Sequence, residues 1–221
     1  AMTTTTRMHP SLALALRALE DVPDSPFKPT PEAVIDYWGR WMERSVPPIY
    51  RDASLPRLTG DQKPAELTRW IEDTTARVLW LVGAPGTGKT YAAYAVAAHM
   101  AAGNGLVRAT LGGAPSAWTL AGLLDDMRPQ AGDPEGAFKA AKEAPLLVLD
   151  DLAHTQATAW AVERLWMLAD YRTTHDLRTI LTTNTTSGRL AEAWGEAAID
   201  RFLDRAVIVK MTGQSRRGLA W

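Results

Sequence analysis

A chain of 221 residues is long enough for one ordinary domain with a short appendage, and 46% hydrophobic side chains can build a real core, which excludes general disorder. Its 24 basic and 25 acidic residues leave a net charge of -1, so there is no global footprint for nucleic acid and any such contact must be local or shared between subunits. The absence of cysteine excludes a disulfide framework, a thiolate zinc site and a Cys nucleophile. No apolar run approaches the roughly 18–20 residues of a membrane span.

The opening AMTTTTRMHPS has one Arg and no apolar stretch before a small-residue cleavage site. It does not read as a secretory signal, and a cytoplasmic protein without membrane contact is expected. Leu12, Leu16 and Leu19 recur at helical spacing over residues 11–20, with Ser11 as the expected cap. A second helix is better marked. Thr30 can cap it, Pro31 suits its first turn, and Val34, Trp38, Trp41 and Met42 share one face. That aromatic face either packs on the main domain or the first helix, or serves as a docking face for a partner protein.

Four prolines between positions 47 and 64 predict an extended connection, and a domain boundary is placed after residue 45. Beyond it, a helix is expected over 65–75, a strand over 77–82, a helix over 90–102 and a strand over 106–110. Pro115 and Ser116 should precede a helix carrying Leu120, Leu123, Leu124 and Met127. Further strands are expected over 146–149, 177–183 and 207–211, with a helix over 158–171. Such alternation predicts a parallel sheet covered by helices on both faces, a three-layer αβα architecture.

Between the first of these strands and the helix after it lies GAPGTGKT, residues 83–90, matching G-x-x-x-x-G-K-[ST] in the strand, loop, helix context the motif requires. The backbone of Gly83, Ala84, Pro85, Gly86, Thr87 and Gly88 would curl so that N–H groups face phosphate oxygens, helped by the positive end of the following helix. Lys89 would reach the outer phosphates and the Thr90 hydroxyl would ligate magnesium, with Tyr91 placed beside them as a nucleotide contact. ATP and Mg2+ are therefore the expected ligands.

PLLVLDDL, residues 145–152, supplies a second half of the site. Two aspartates follow a buried run at its carboxyl end, where ligands sit in open α/β sheets. Asp150 would hold magnesium, directly or through water, and Asp151 would be the base that polarises the attacking water; the plain alternative is that the pair caps the next helix. In LRTILTTNTT, residues 177–186, Asn184 reads as a group positioning that water or touching the γ-phosphate, or else as a turn former. Arg201 reads as a finger acting on a neighbour's nucleotide, with Arg205 competing for the role, or as a surface partner of Asp204 or Glu196.

Taken together, GAPGTGKT, LLVLDDL, a strand ending TTN and a helix with DRF resemble the AAA+ ATPases, within them the DnaC and DnaI type helicase loaders and the IstB transposition helpers. The resemblance covers the chain from about residue 46 to its end. It implies a P-loop NTPase fold with a five-stranded parallel sheet in which the P-loop and Asp150 strands flank the one leading to Asn184. PPIYRDASL, residues 47–55, resembles a segment near the adenine, which implicates Ile49 and Tyr50. GQSRR, residues 213–217, places Arg217 where the branch carries an arginine near the γ-phosphate, and the resemblance assigns the finger to Arg201. Only 20 residues follow Arg201, so a C-terminal lid domain is not expected.

Two positions depart from the pattern, Ala153 where the branch usually has glycine and Asp151 where many members have Glu. The shorter Asp suggests slow hydrolysis. The resemblance implies an ATP-dependent loader of a replicative, DnaB-like DNA helicase, gripped by residues 1–45 and assembled with other copies through ATP at subunit junctions; an IstB-like transposition helper is the alternative. From Arg201 onward five basic residues face Asp204 alone, a net of +4, which suits single-stranded DNA, nucleotide phosphates or solvent equally.

Overall fold

The computed structural model describes residues 8–26, 28–108 and 115–216. Five strands, β1 (Val78–Val82), β2 (Ser116–Thr119), β3 (Leu146–Asp150), β4 (Arg178–Thr183) and β5 (Ala206–Lys210), form one sheet in the order β2-β3-β4-β1-β5, every pairing parallel. Because side chains alternate across a strand, each apolar run feeds two cores. Leu79, Leu81, Leu146, Val148, Ile180 and Val209 point into one, and Val78, Trp80, Leu147, Leu149 and Leu181 into the other.

The first core is covered by α1 (Pro10–Glu20), α2 (Pro31–Ser45), α3 (Pro64–Glu72) and α4 (Lys89–Arg108). The second is covered by α5 (Leu120–Asp126), α6 (Pro134–Glu143), α7 (Ala159–Thr174), α8 (Ser187–Trp194) and α9 (Glu196–Leu203). This is the three-layer αβα sandwich with the expected strand placement, β4 lying between β1 and β3.

The second helix begins as its sequence dictates, with Thr30 Oγ1 accepting from the Ala33 N–H. Its aromatic face is spent on the main domain: Val34, Trp38, Trp41 and Met42 are buried against α4, and Trp41 Nε1 donates to the Pro115 carbonyl at 2.9 Å. The first helix is capped two residues earlier than expected. His9 Nδ1 accepts from the Ser11 N–H while its Nε2 lies 3.1 Å from the Ala53 carbonyl, and Ser11 itself is buried inside the helix.

Three expectations are corrected. Residues 106–108 belong to the last turn of α4 and not to a strand, because the Ala-rich helix runs on past Ala102; residues 109 and 110 lie outside the described residues. The second strand comes later, at Ser116–Thr119, where pairing with Leu147–Asp150 outweighs the weak local pattern, and Thr119 then caps α5 by accepting from the Gly122 N–H. The proline-rich connection is not extended. It folds as three 3₁₀ turns, Pro48–Tyr50, Leu55–Arg57 and Gly60–Gln62, two of which use proline at the first or second position, where its missing N–H costs nothing.

At the amino edge of the sheet two residues with left-handed backbone, Asp176 (φ 59°) and Arg205 (φ 53°), turn the chain into β4 and β5. Asp176 pairs with Arg77 and, at 2.8 Å, with Arg205, and these partners hold its carboxyl down at about 2 against an ordinary 3.8. A depressed carboxyl stabilises the fold above its ordinary value and loses that contribution as pH falls towards about 2. The stability gap between the wild type and Asp176→Asn, measured by urea unfolding, is therefore expected to be constant above about pH 5 and to shrink below pH 4. A gap that widens on acidification would remove the Asp176 cluster from the acid response.

Candidate nucleotide site

Parallel register puts the site at the carboxyl edge. Leu81 of β1 pairs with Thr182 of β4, and Leu149 of β3 pairs with Leu181, so Thr182 and Asp150 follow side by side above the row that joins the three strands. The loop after β1 then crosses directly over them. Gly86 (φ 85°) and Gly88 (φ 88°) both take the left-handed conformation, which favours glycine, and a Cβ at Gly86 would lie 2.1 Å from Ser215 Oγ. The loop is clamped from both sides: the Arg216 N–H donates to the Gly86 carbonyl at 2.9 Å, and Gln62 Nε2 donates to the Gly88 carbonyl at 3.3 Å.

Lys89 Nζ curls back over the loop and donates to the carbonyls of Gly83 (2.9 Å) and Ala84 (3.0 Å). Below it, Asp150 Oδ1 accepts from two hydroxyls, Thr90 Oγ1 at 2.9 Å and Thr182 Oγ1 at 2.6 Å. Asp150 is 9% exposed. Burial pushes its pKa up, and the two hydroxyl donors pull the other way. Asp151 follows in left-handed backbone (φ 60°), its N–H donating to Thr182 Oγ1 at 2.9 Å and its carboxylate 2.5 Å from His154 Nδ1.

These groups line an open cleft of about 420 Å³ together with Ile49, Tyr50, Pro85, Gly86, Gly88, Tyr91, Asn184 and Arg216. Tyr50 stacks on Tyr94 at 5.1 Å between ring centroids, Ile49 stands at the mouth 71% exposed, and the Tyr91 hydroxyl donates to the Asp52 carbonyl at 3.3 Å. The other carbonyl-lined bends of the loop are internal: Thr87 is buried and its hydroxyl donates to the Ala84 carbonyl. The structure thus gathers Ile49, Tyr50, the P-loop residues, Asp150, Asp151 and Asn184 into one place.

Arg201 stands elsewhere. It lies in the last turn of α9, whose chain runs on to the start of β5, the amino edge of the sheet, and its guanidinium pairs with Asp170 of α7 at 3.0 Å rather than with Asp204 or Glu196. Arg205 is bound up with Asp176 at that same edge. Arg217 lies outside the described residues. Three cleft residues were missed from sequence. Thr182 is one of several threonines at the end of a strand, Arg216 belongs to the basic tail beside Arg217, and His154 sits three residues beyond Asp151 with no motif to mark it.

The donor set suits a magnesium triphosphate. Curled backbone, a lysine, a hydroxyl and a carboxylate are hard, charge-complementary partners for phosphate and Mg2+, which keeps several waters and needs only one or two protein ligands. Among the described residues no group of three or more His, Asp or Glu is placed to hold a metal.

Strand order, P-loop and acidic strand tip together define a three-layer αβα fold of the P-loop type. Comparison with solved structures bears this out. The chain is similar to the structure of DnaI (20% identity, 78% of this chain and 94% of that one, TM-score 0.64) and to that of the DnaC helicase loader (22%, 75% and 100%, 0.62). It is also similar to DnaA from Aquifex aeolicus bound to AMPPCP (13%, 75% and 51%, 0.58). The family model described as Nephrocystin 3, N-terminal, matches residues 62–111, the stretch around the P-loop. No curated protein sequence matches the chain. Among the described residues no helix is long and apolar enough to cross a membrane.

Proposed function

We propose that this chain is an ATP-hydrolysing switch of the DnaC type that loads a replicative DNA helicase. The observation that carries the reading is the meeting of Lys89, Thr90, Asp150 and Thr182 beneath an open cleft, in a fold that spans 94% of the DnaI chain and 100% of the DnaC helicase-loader chain. Lys89 and the loop N–H groups would hold the phosphates, and Thr90 with Asp150 would hold magnesium, whose role when bound is to neutralise charge on the transferring phosphoryl group. Asp151 would orient and deprotonate the attacking water, with Asn184 on its other side.

Arg201 cannot serve the cleft of its own chain from the amino edge of the sheet. Its exposure and position support a role in completing a neighbour's site, so that assembly reports the nucleotide state. Since the aromatic face of α2 is buried, a helicase would be gripped by the outward faces of α1 and α2, where Leu14 and Ile35 are exposed. Single-stranded DNA is a further candidate ligand of the basic tail.

The test is capture of the chain by an immobilised hexameric helicase, with an IstB-partner transposase alongside, in Mg·ATP, Mg·ADP and no nucleotide. Nucleotide-dependent retention on the helicase alone is expected. Retention on the transposase alone would replace the loader reading by that of a transposition helper. In the same series Arg201→Ala is expected to bind ATP normally and to lose the hydrolysis that depends on assembly; full turnover by this variant would strike Arg201 from the site.

A further inference from the structure

We propose that His154 is a positioning residue that fixes which oxygen of Asp151 faces the attacking water, an inference that rests on the hydrolysis reading above. Asp151 is an unusual place for a base. Its backbone is left-handed, and its carboxylate hangs on two torsions, of which the second has only broad, two-fold preferences. Left alone, either oxygen would point into the cleft. The structure removes that freedom from both ends: the Asp151 N–H is anchored on Thr182 Oγ1, and His154 Nδ1 lies 2.5 Å from Asp151 Oδ1.

With its proton on Nδ1, the imidazole donates to Oδ1 and leaves Oδ2 to the water. As the water oxygen bonds to the terminal phosphorus, the bond from phosphorus to the bridging oxygen breaks and its electron pair leaves with the nucleoside diphosphate; the water's proton passes to Oδ2. A continuous chain of hydrogen bonds thereby runs from Thr90 through Asp150, Thr182 and Asp151 to His154 at the rim. The His154 and Asp151 side chains are 64% and 42% exposed, so the pair adds little to folding stability. Its value lies in orientation.

Three variants test the assignment by single-turnover phosphate release from Mg·ATP, with affinity followed by a fluorescent ATP analogue. His154→Ala is expected to lower the hydrolysis rate about tenfold, the equivalent of one 1.4 kcal/mol interaction, with affinity changed less than about twofold. His154→Asn places a donor where Nδ1 stands and is expected to recover most of the rate; His154→Gln places it where Nε2 stands and is not. An unaffected rate in His154→Ala, or a loss that Asn and Gln repair equally or not at all, would overturn the assignment. A further readout is independent of turnover. In 15N-histidine spectra at pH 8, where free imidazole is neutral, His154 is expected as the Nδ1–H tautomer and to lose that preference in Asp151→Ala. An Nε2–H tautomer in the wild type would also overturn it. Binding of Mg·ATP with no phosphate release by the wild type would instead sink the hydrolysis reading, and the role of His154 with it.

Discussion

Lys89→Ala is expected to lower the affinity for Mg·ATP by about 100-fold or more while leaving the fold intact. The lysine side chain is only partly buried, and its ammonium rests on two loop carbonyls, Gly83 and Ala84, which the cleft's water can satisfy when it is gone. What is lost is the positive charge that answers the outer phosphates. Hydrogen bonds to charged groups contribute about 1.5–3 kcal/mol each, and two of them account for the expected loss. Isothermal titration with Mg·ATP, with circular dichroism as the control for folding, decides it. Affinity within tenfold of the wild type would mean that the nucleotide phosphates do not lie under Lys89.

Arg172→Met is expected to have the largest effect on stability, about 3–5 kcal/mol, or a fall in melting temperature of about 10 °C. Arg172 is 1% exposed, and among the described residues its guanidinium bonds to carbonyls and a hydroxyl and to no carboxylate. It donates from Nη1 to the carbonyls of Ala141 (2.8 Å) and Ala144 (2.9 Å), from Nη2 to that of Arg178, and from Nε to Thr179 Oγ1 at 2.9 Å. It thus closes the carboxyl end of α6, where orphan carbonyls and the negative end of the helix dipole meet a cation. Methionine fills the volume but leaves those acceptors buried without donors, and desolvation of each costs about 1–3 kcal/mol, part of which relaxation recovers. Thermal unfolding followed by differential scanning calorimetry measures it. A loss below about 1 kcal/mol would show that water reaches the α6 carbonyls in place of the arginine.

The two expectations differ in how much of each was legible beforehand. Lys89 belongs to an eight-residue motif whose chemistry is local, since one curled loop and one helix start place every group, and reading it needs no knowledge of distant residues. Asp150 was legible for a related reason: a buried strand ending in a carboxylate signals the active edge of a parallel sheet. Arg172 carried no signal. In sequence it is one more polar residue in the last turn of a helix, and only the packing of α7 against the end of α6 and the start of β4 brings five acceptors to it. Ser116–Thr119 failed as a strand prediction for the same reason, because its conformation is set by the partner at Leu147–Asp150 and not by its own residues.

By itself, the sequence determined the phosphate loop, the alternation of strands and helices and the acidic tip of β3, because each rests on contacts between residues close along the chain or on the period of a single element. The tertiary structure decided what depends on long-range register and packing. It placed Thr182 against Asp150 and His154 against Asp151, spent the aromatic face of α2 on α4, brought Arg216 to the cleft and left Arg201 at the far edge of the sheet. Hydrogen bonds and apolar contacts between residues far apart in the chain leave no period or motif behind; they come into being only when the sheet closes.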